Sequence, residues 1–334
     1  MSANEQNTGQ AALVEQTSLS TGEYIRGYFK RIRSGDIGSL PIIVGLILIS
    51  LIFQSLNQNF LTPGNLVNLI VQMAGIATIA IGVVFVLLLG EIDLSIGFVS
   101  AVCGVVMTLI FKDFGWPWFV TLPAALAVVT IIGLIQGAII TGFGLPSFIV
   151  TLAGLLVWNG AVLILVGAGG TIILQDQVAI AIANAFLPDE WGWILAVVIV
   201  LTYAGSTLLG NRTRQREGLT TTPMPLVLAQ IAGVAALILF GVYVCNLDRG
   251  VPVVGILLAI FLVFFTFVAT RTPFGRYVYA VGGSAEAARR AGINVNRIRI
   301  YVFMLSSFMA GWGGIILASR LRSVATNSGG GNLV

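Results

Sequence analysis

Hydrophobic residues occur along this chain in long uncharged runs that are separated by short polar segments. Each run has the roughly 17 to 25 residues that an α-helix needs to cross the hydrocarbon core of a bilayer. Nine such runs can be laid out, and they predict an all-α, polytopic membrane helix bundle. The predicted spans are Ile37–Leu56, Leu66–Leu89, Leu94–Phe111, Trp116–Ile140, Pro146–Val166, Trp191–Leu209, Pro223–Leu247, Val251–Thr270 and Ile300–Ala318.

The composition supports a membrane location. Apolar residues make up 57% of the 334 residues, charged residues only 9%, and the mean hydropathy is +1.00. A soluble domain carries about a quarter of its residues as Asp, Glu, Lys and Arg. We therefore expect a polar segment at 1–36, a transmembrane domain at 37–320 that includes a loop at 271–299, and a Gly-rich end at 321–334.

The distribution of basic residues predicts the orientation. With the N-terminus in the cytoplasm, 13 of the 17 Lys and Arg residues fall in inside segments. Only Lys112, Arg249, Arg320 and Arg322 fall outside. Inside segments of membrane proteins carry an excess of Lys and Arg. The net charge of +4 is therefore explained by topology, and we expect lipid contact and no nucleic-acid partner.

Several kinds of chemistry are excluded by the inventory of residues. The chain has no histidine, so imidazole-based catalysis and His metal sites are absent. Cys103 and Cys245 lie in apolar runs without zinc-ligand spacing. Lys30 and Lys112 are followed by Arg and Asp, whereas a phosphate-binding P-loop needs Lys followed by Ser or Thr. We expect no catalytic residues, no metal and no ATPase site in this sequence.

The first informative segment interrupts an apolar stretch with two carboxylates. It contains Glu91, Asp93, Ser95 and Gly97. One interpretation is structural, with Asp93 as the N-cap of the helix that follows. The other is a broken helix that lines a pathway, in which Glu91 and Asp93 accept hydrogen bonds from hydroxyl groups or water. The structural interpretation is preferred, but both can hold.

The second informative segment is the inside loop at 271–299. Ser284 is a plausible N-cap, residues 285–291 favour a helix, and Gly292 is a natural stop. This pattern predicts a short basic helix outside the bilayer. It is either a solvated linker or a docking element for a cytoplasmic partner.

Three motifs in one order resemble a known family. Residues 91–97 read Glu-Ile-Asp-Leu-Ser-Ile-Gly, residues 146–154 read Pro-Ser-Phe-Ile-Val-Thr-Leu-Ala-Gly, and the third motif is the loop at 282–294. Together they resemble the permease subunits of monosaccharide ABC importers of the ribose and xylose type. The span Pro223–Leu247 and the segment Arg249-Gly250-Val251-Pro252 are closer to the xylose type.

The resemblance implies a set of partners and a location. These are a cytoplasmic ATP-binding cassette protein that binds ATP and Mg, a periplasmic sugar-binding protein, and a second permease copy in a homodimer. It implies a multi-pass protein of the bacterial inner membrane that alternates between outward- and inward-facing states. By analogy the short helix is the coupling element, with contact residues Ser284, Glu286, Ala287, Ala288, Arg290, Gly292 and Ile293.

Two further expectations concern the end of the sequence and the competing functions. Members of the resembled family continue with another hydrophobic block, so we expect this sequence to be truncated at its C-terminus. An ion-coupled secondary transporter is the main alternative, with Glu91 and Asp93 as the candidate coupling groups. A membrane enzyme is disfavoured because the sequence lacks histidine and a nucleophile constellation.

Overall fold

The computed structural model describes residues 40–219 and 221–331, and its architecture is α-helical, as predicted. The long helices are α1 Leu40–Leu56, α2 Pro63–Leu88, α3 Ile96–Leu109, α4 Trp118–Phe143, α5 Ser147–Val166, α7 Asp189–Arg216, α8 Met224–Asn246, α9 Val253–Arg271 and α12 Val295–Leu321. The shorter helices are α6 Gln177–Asn184, α10 Pro273–Gly283, α11 Ala285–Arg290 and α13 Ser328–Gly331. The strands are β1 Thr171–Ile173, β2 Phe186–Leu187, β3 Val251–Pro252 and β4 Ser323–Ala325.

Each of the nine predicted spans corresponds to one long helix. Eight of the described helices are long and apolar enough to cross a membrane, and helix α1 is apolar but has only 17 residues. A π-helical turn at Ile110–Phe114 extends α3. The predicted polar segment 1–36, the first residues of the first span and the last three residues of the chain lie outside the described residues.

Contacts divide the chain into two compact units. Of the described residues, the smaller unit comprises 40–66, 187–219 and 221–251, and the larger one comprises 67–186 and 252–331. The smaller unit contains the antiparallel pair α7 and α8, in which Gln230 Nε2 donates to the Tyr203 hydroxyl at 2.8 Å. Most side chains of this pair are exposed and apolar, as lipid-facing helices require.

Helix α12 is the centre of the larger unit. It packs against α2, α3 and α4, and glycines make these approaches possible. A Cβ at Gly133 of α4 would overlap the backbone of Phe303, and one at Gly314 of α12 would overlap the backbone of Ser100 in α3. Such close approaches at small residues are expected of helices that associate inside a bilayer.

Contacts between distant segments agree with the predicted topology. Strands β1 and β4 pair antiparallel, with Ile172 opposite Val324, and both strands lie in segments predicted to be outside. Nearby, Ser319 Oγ donates to Ile180 O at 2.9 Å and accepts from the Ala183 amide. Helix α6 and the β1–β4 pair were not predicted, because each is too short to give a clear periodic pattern.

The glycine contacts of α12 lead to a stability prediction. Gly314→Ala should destabilise the protein by about 1–3 kcal/mol, because the added methyl group must displace the backbone of α3. Thermal unfolding of the detergent-solubilised protein measures the effect. Gly160→Ala in α5 is the matched control, since a Cβ there meets no atom within 4 Å. Equal stability of the two variants would contradict this account of the packing.

Candidate functional site

The interruption predicted at residues 90–97 is a linker between α2 and α3. Helix α2 ends at Leu88, and Gly90 turns the chain with a φ of 74°, in a region that favours glycine. The Glu91 amide still donates to Val86 O at 3.2 Å. The chain then runs without regular structure until α3 begins at Ile96. By the predicted topology this linker lies at the cytoplasmic ends of the helices.

Asp93 stabilises the start of α3, but it lies two residues before the N-cap and not at the N-cap itself, where the sequence predicts it. The N-cap residue is Ser95 rather than Asp93. Asp93 Oδ1 accepts hydrogen bonds from the Ser95 amide at 3.0 Å and from Ser95 Oγ at 2.7 Å. An aspartate that binds the backbone two residues ahead forms an Asx-turn, which here satisfies the Ser95 amide, one of those that helix α3 leaves free. The difference arises because the linker holds Asp93 outside the first helical turn.

Gln136 of α4 joins this cluster and was missed by the sequence interpretation. Its Nε2 donates to Ser95 Oγ at 2.9 Å, and its side chain is buried. Gly154 of α5 makes room for the Gln136 amide group, because a Cβ at this position would overlap Gln136 Nε2. A polar side chain in an apolar span is itself a signal, because such groups are costly in a membrane unless they have a partner. Gly97 is buried in the first turn of α3, where its carbonyl accepts from Ser100 Oγ at 2.6 Å.

The backbone of the linker is held by the start of α5. Ser147 Oγ accepts from the Ile92 amide at 3.2 Å, and Thr151 Oγ1 donates to Ile92 O at 3.3 Å. Ser147 and Thr151 belong to the motif at 146–154. Two of the three motifs that carry the resemblance are therefore in contact, which the sequence alone did not show.

Glu91 forms an ion pair with Arg299 in the first turns of α12. Arg299 Nε lies 2.8 Å from Glu91 Oε1, and the side chains are 31% and 9% exposed. The N–H is not aligned for a hydrogen bond, so the contact is an electrostatic one. From the sequence alone, Arg299 is simply one of the basic residues that the predicted topology assigns to the cytoplasmic side. Its pairing could not be predicted, because 208 positions separate the two residues in the chain.

The predicted short helix exists and is capped as expected. Ser284 Oγ accepts from the Ala287 amide at 3.2 Å, and α11 ends before Gly292, which has a φ of 84°. The carboxylate of Glu286 pairs with Arg290 one turn later on the exposed face. These features confirm the predicted local structure of the loop.

The residues predicted to contact the ATPase do not share one face of this segment. Ser284, Glu286, Ala287, Arg290 and Gly292 are exposed. Ala288 is buried and Ile293 is partly buried, and both pack into an apolar cluster formed by the protein's own helices. In this structure Ala288 and Ile293 hold the segment to the bundle and do not face outward.

The segment rests on the end of α2, next to the linker. A Cβ at Gly282 would overlap the carbonyl oxygen of Leu88, so α10 and α2 touch through their backbones. The Phe85 ring of α2 stacks with Phe274 of α10 at a centroid distance of 6.3 Å and meets Phe265 of α9 edge-on at 5.9 Å. Within residues 40–219 and 221–331, no group of three or more His, Cys, Asp and Glu side chains is placed to hold a metal.

The fold and this site define a class of protein, which is a multi-pass α-helical membrane protein with a polar linker and an adjoining short exposed helix, α11. Residues 65–333 match the family described as the permease component of branched-chain amino acid transport systems. The chain belongs to this family of transport-system permeases. It is a multi-pass protein of the bacterial inner membrane, as expected.

Individual relatives are sugar permeases. The chain is 35% identical to the xylose transport system permease protein XylH of Escherichia coli K12, over 91% of this chain and 77% of the relative. It is 33% identical to XylH of Haemophilus influenzae, over 81% of this chain and 72% of the relative. The ribose import permease protein RbsC of E. coli K12 is 27% identical over 86% of this chain and 72% of its own length. No solved structure is detectably similar to the chain.

The linker leads to a second stability prediction. Asp93→Ala should destabilise the protein by about 1–3 kcal/mol, because the buried Ser95 amide loses its acceptor and the Ser95 hydroxyl loses the nearer of its two acceptors. Asp93→Asn keeps one acceptor oxygen, so its free energy of unfolding should fall by less. Thermal unfolding in detergent measures both variants, with the exposed Asp113→Ala as the control. If Asp93→Ala is as stable as the control, the structural role of Asp93 is wrong.

Proposed function

We propose that this chain is the membrane-spanning subunit of an ATP-driven importer of a monosaccharide, D-xylose or a related pentose or hexose. The observation that carries the proposal is the similarity to xylose permeases across 91% of the chain. The ribose permeases match less well, and they support the wider class of sugar rather than xylose itself. The sugar crosses without covalent change as the subunit alternates between two conformations.

The partners follow from what the sequence contains and lacks. Neither of its two lysines lies in a phosphate-binding P-loop, so we assign ATP and Mg to a separate cytoplasmic ATPase. The exposed face of α11 is a suitable docking surface for that ATPase, since it projects a Glu286–Arg290 pair away from the apolar bundle. A periplasmic sugar-binding protein and a second permease copy complete the proposed assembly.

The structure gives the ion-coupled alternative little support. Such a transporter needs ionisable groups in the membrane that bind and release the coupling ion. Glu91 is paired with Arg299, and Asp93 is engaged by Ser95. Glu91 Oε1 and Asp93 Oδ1 therefore have structural partners in this conformation, whereas Asp93 Oδ2 is buried without one among the described residues. The two partnered oxygens favour a transporter powered from outside the chain.

Transport assays separate the two functions. We expect cells that carry the chain with its ATPase and binding protein to take up labelled D-xylose. Uptake should stop when the ATPase is removed, because no other part of the assembly hydrolyses ATP. Uptake that survives loss of the ATPase but collapses with an uncoupler would establish the ion-coupled alternative.

The docking surface leads to a more specific prediction. Glu286→Arg should leave the permease inserted in the membrane but reduce its stimulation of the ATPase by about tenfold, which corresponds to about 1.4 kcal/mol of coupling. Gly292→Trp should act similarly, because a bulky side chain disturbs the turn after α11. ATP hydrolysis by the reconstituted complex is the measurement.

A charge reversal on the opposite side of the membrane provides the control. Lys112→Glu is also exposed, and it lies in a segment predicted to be outside. It should leave ATPase stimulation unchanged. Normal stimulation by both Glu286→Arg and Gly292→Trp would refute the docking role of this segment.

A further inference from the structure

The docking segment, residues 282–292 with helix α11 at its centre, is attached to the bundle at both of its ends. On the N-terminal side, α10 meets α2 through the contact of Gly282 with Leu88 and the stacking of Phe274 on Phe85. On the C-terminal side, α11 leads through Gly292 into α12, which carries Arg299 in its first turns. Both attachments reach the same place, which is the end of α2 and the linker that follows it.

The second attachment is the Glu91–Arg299 ion pair. The Glu91 side chain is only 9% exposed and that of Arg299 is 31% exposed, so water screens this pair less than it screens a pair on the surface. The contact differs from the backbone approach at Gly282, because a long side chain reaches across to the linker. The ion pair can therefore transmit a displacement between α12 and the linker, and it can rearrange when α12 moves.

The linker in turn connects with three other helices. Asp93 and Ser95 begin α3, Ser95 binds Gln136 of α4, and Ile92 is bonded to Ser147 and Thr151 of α5. If the linker moves, these hydrogen bonds must therefore either break or move the ends of α3, α4 and α5 along with it. Coupling between distant sites requires such contiguous packed and hydrogen-bonded connections.

We infer that Glu91 and Arg299 are positioning residues that transmit movement of the docking segment to the linker between α2 and α3. This inference rests on the proposed function, since it assumes that an ATPase moves α11. When α11 shifts, the first turns of α12 shift with it, and Arg299 draws Glu91 and the linker along. The start of α3 and the hydrogen bonds to α4 and α5 then respond together. Without the ion pair, ATP hydrolysis continues but drives less transport.

The first experiment measures the number of D-xylose molecules transported per ATP hydrolysed. The permease is reconstituted with its ATPase and binding protein in proteoliposomes. Arg299→Gln and Glu91→Gln should each lower this ratio by at least about fivefold, the lower end of typical coupling effects. Arg297→Gln, two residues away with an exposed side chain, removes the same charge and should leave the ratio unchanged. An unchanged ratio in Arg299→Gln would overturn the inference.

A double variant separates transmission from folding. A single neutralisation leaves the other charge buried and unpaired, which can destabilise the protein by itself. The apolar replacement Glu91→Leu with Arg299→Met removes both charges and should restore the thermal unfolding temperature. The transport ratio should stay low in this variant. If the ratio recovers along with stability, the pair is merely structural and the inference fails.

A second experiment needs neither ATPase nor sugar. Cys103 and Cys245, the two cysteines of the sequence, are replaced by alanine, and spin labels are attached to cysteines at Ala287 and Ile92, which are exposed. The distance distribution should broaden on Arg299→Gln and remain narrow on Arg297→Gln. A narrow distribution in Arg299→Gln would overturn the inference. If the wild-type complex shows no ATP-driven uptake, the proposed function fails, while this measurement still decides whether the ion pair fixes the segment to the linker.

Discussion

Charged and hydrogen-bonding groups that are buried must find their partners within the protein, and this constraint organises the linker between α2 and α3. A buried donor or acceptor that is removed from water and left without a partner costs free energy. Asp93 therefore satisfies the start of α3, Ser147 and Thr151 satisfy the backbone of Ile92, and Arg299 neutralises Glu91. Five helices, α2 to α5 and α12, contribute to this one segment, so their cytoplasmic ends are fixed relative to each other.

A second requirement is close packing without help from the hydrophobic effect, which does not favour contact between apolar helices in lipid. Gly133 and Gly314 remove the side chains that would hold α12 away from α4 and α3. This makes α12 the central helix of the larger unit. It also gives α12 a special position, because its cytoplasmic end carries Arg299 and follows directly from the docking segment. In the proposed mechanism, a displacement of α11 would therefore reach the core of the unit along one continuous helix.

The sequence predicted the features that depend on local composition or periodicity. The nine apolar runs correspond to long helices, and the capping of α11 by Ser284 and its end at Gly292 were predicted correctly, because N-caps and helix stops are local signals. The Glu91–Arg299 pair and the Gln136–Ser95 hydrogen bond could not be predicted. Each joins helices whose relative arrangement is decided by packing. The N-cap of α3 was placed at the wrong residue because Asp93 and Ser95 are both suitable caps and only the backbone geometry distinguishes them.

The two carboxylates of the linker illustrate why a polar motif in a membrane helix need not touch the transported solute. The sequence suggests both Glu91 and Asp93 as acceptors for hydroxyl groups, yet each is largely buried against protein groups. A charged residue that contacts solute must exchange its partners in every cycle, whereas one that holds a helix break must keep them. The Asx-turn of Asp93 belongs to the second kind, since its loss would leave the buried Ser95 amide at the start of α3 without an acceptor. Glu91 differs, because its partner lies on α12, the helix that directly follows α11 and that we propose moves with it. The same motif thus combines a fixed support for α3, which is Asp93, with a contact that can change when α12 moves, which is the Glu91–Arg299 pair.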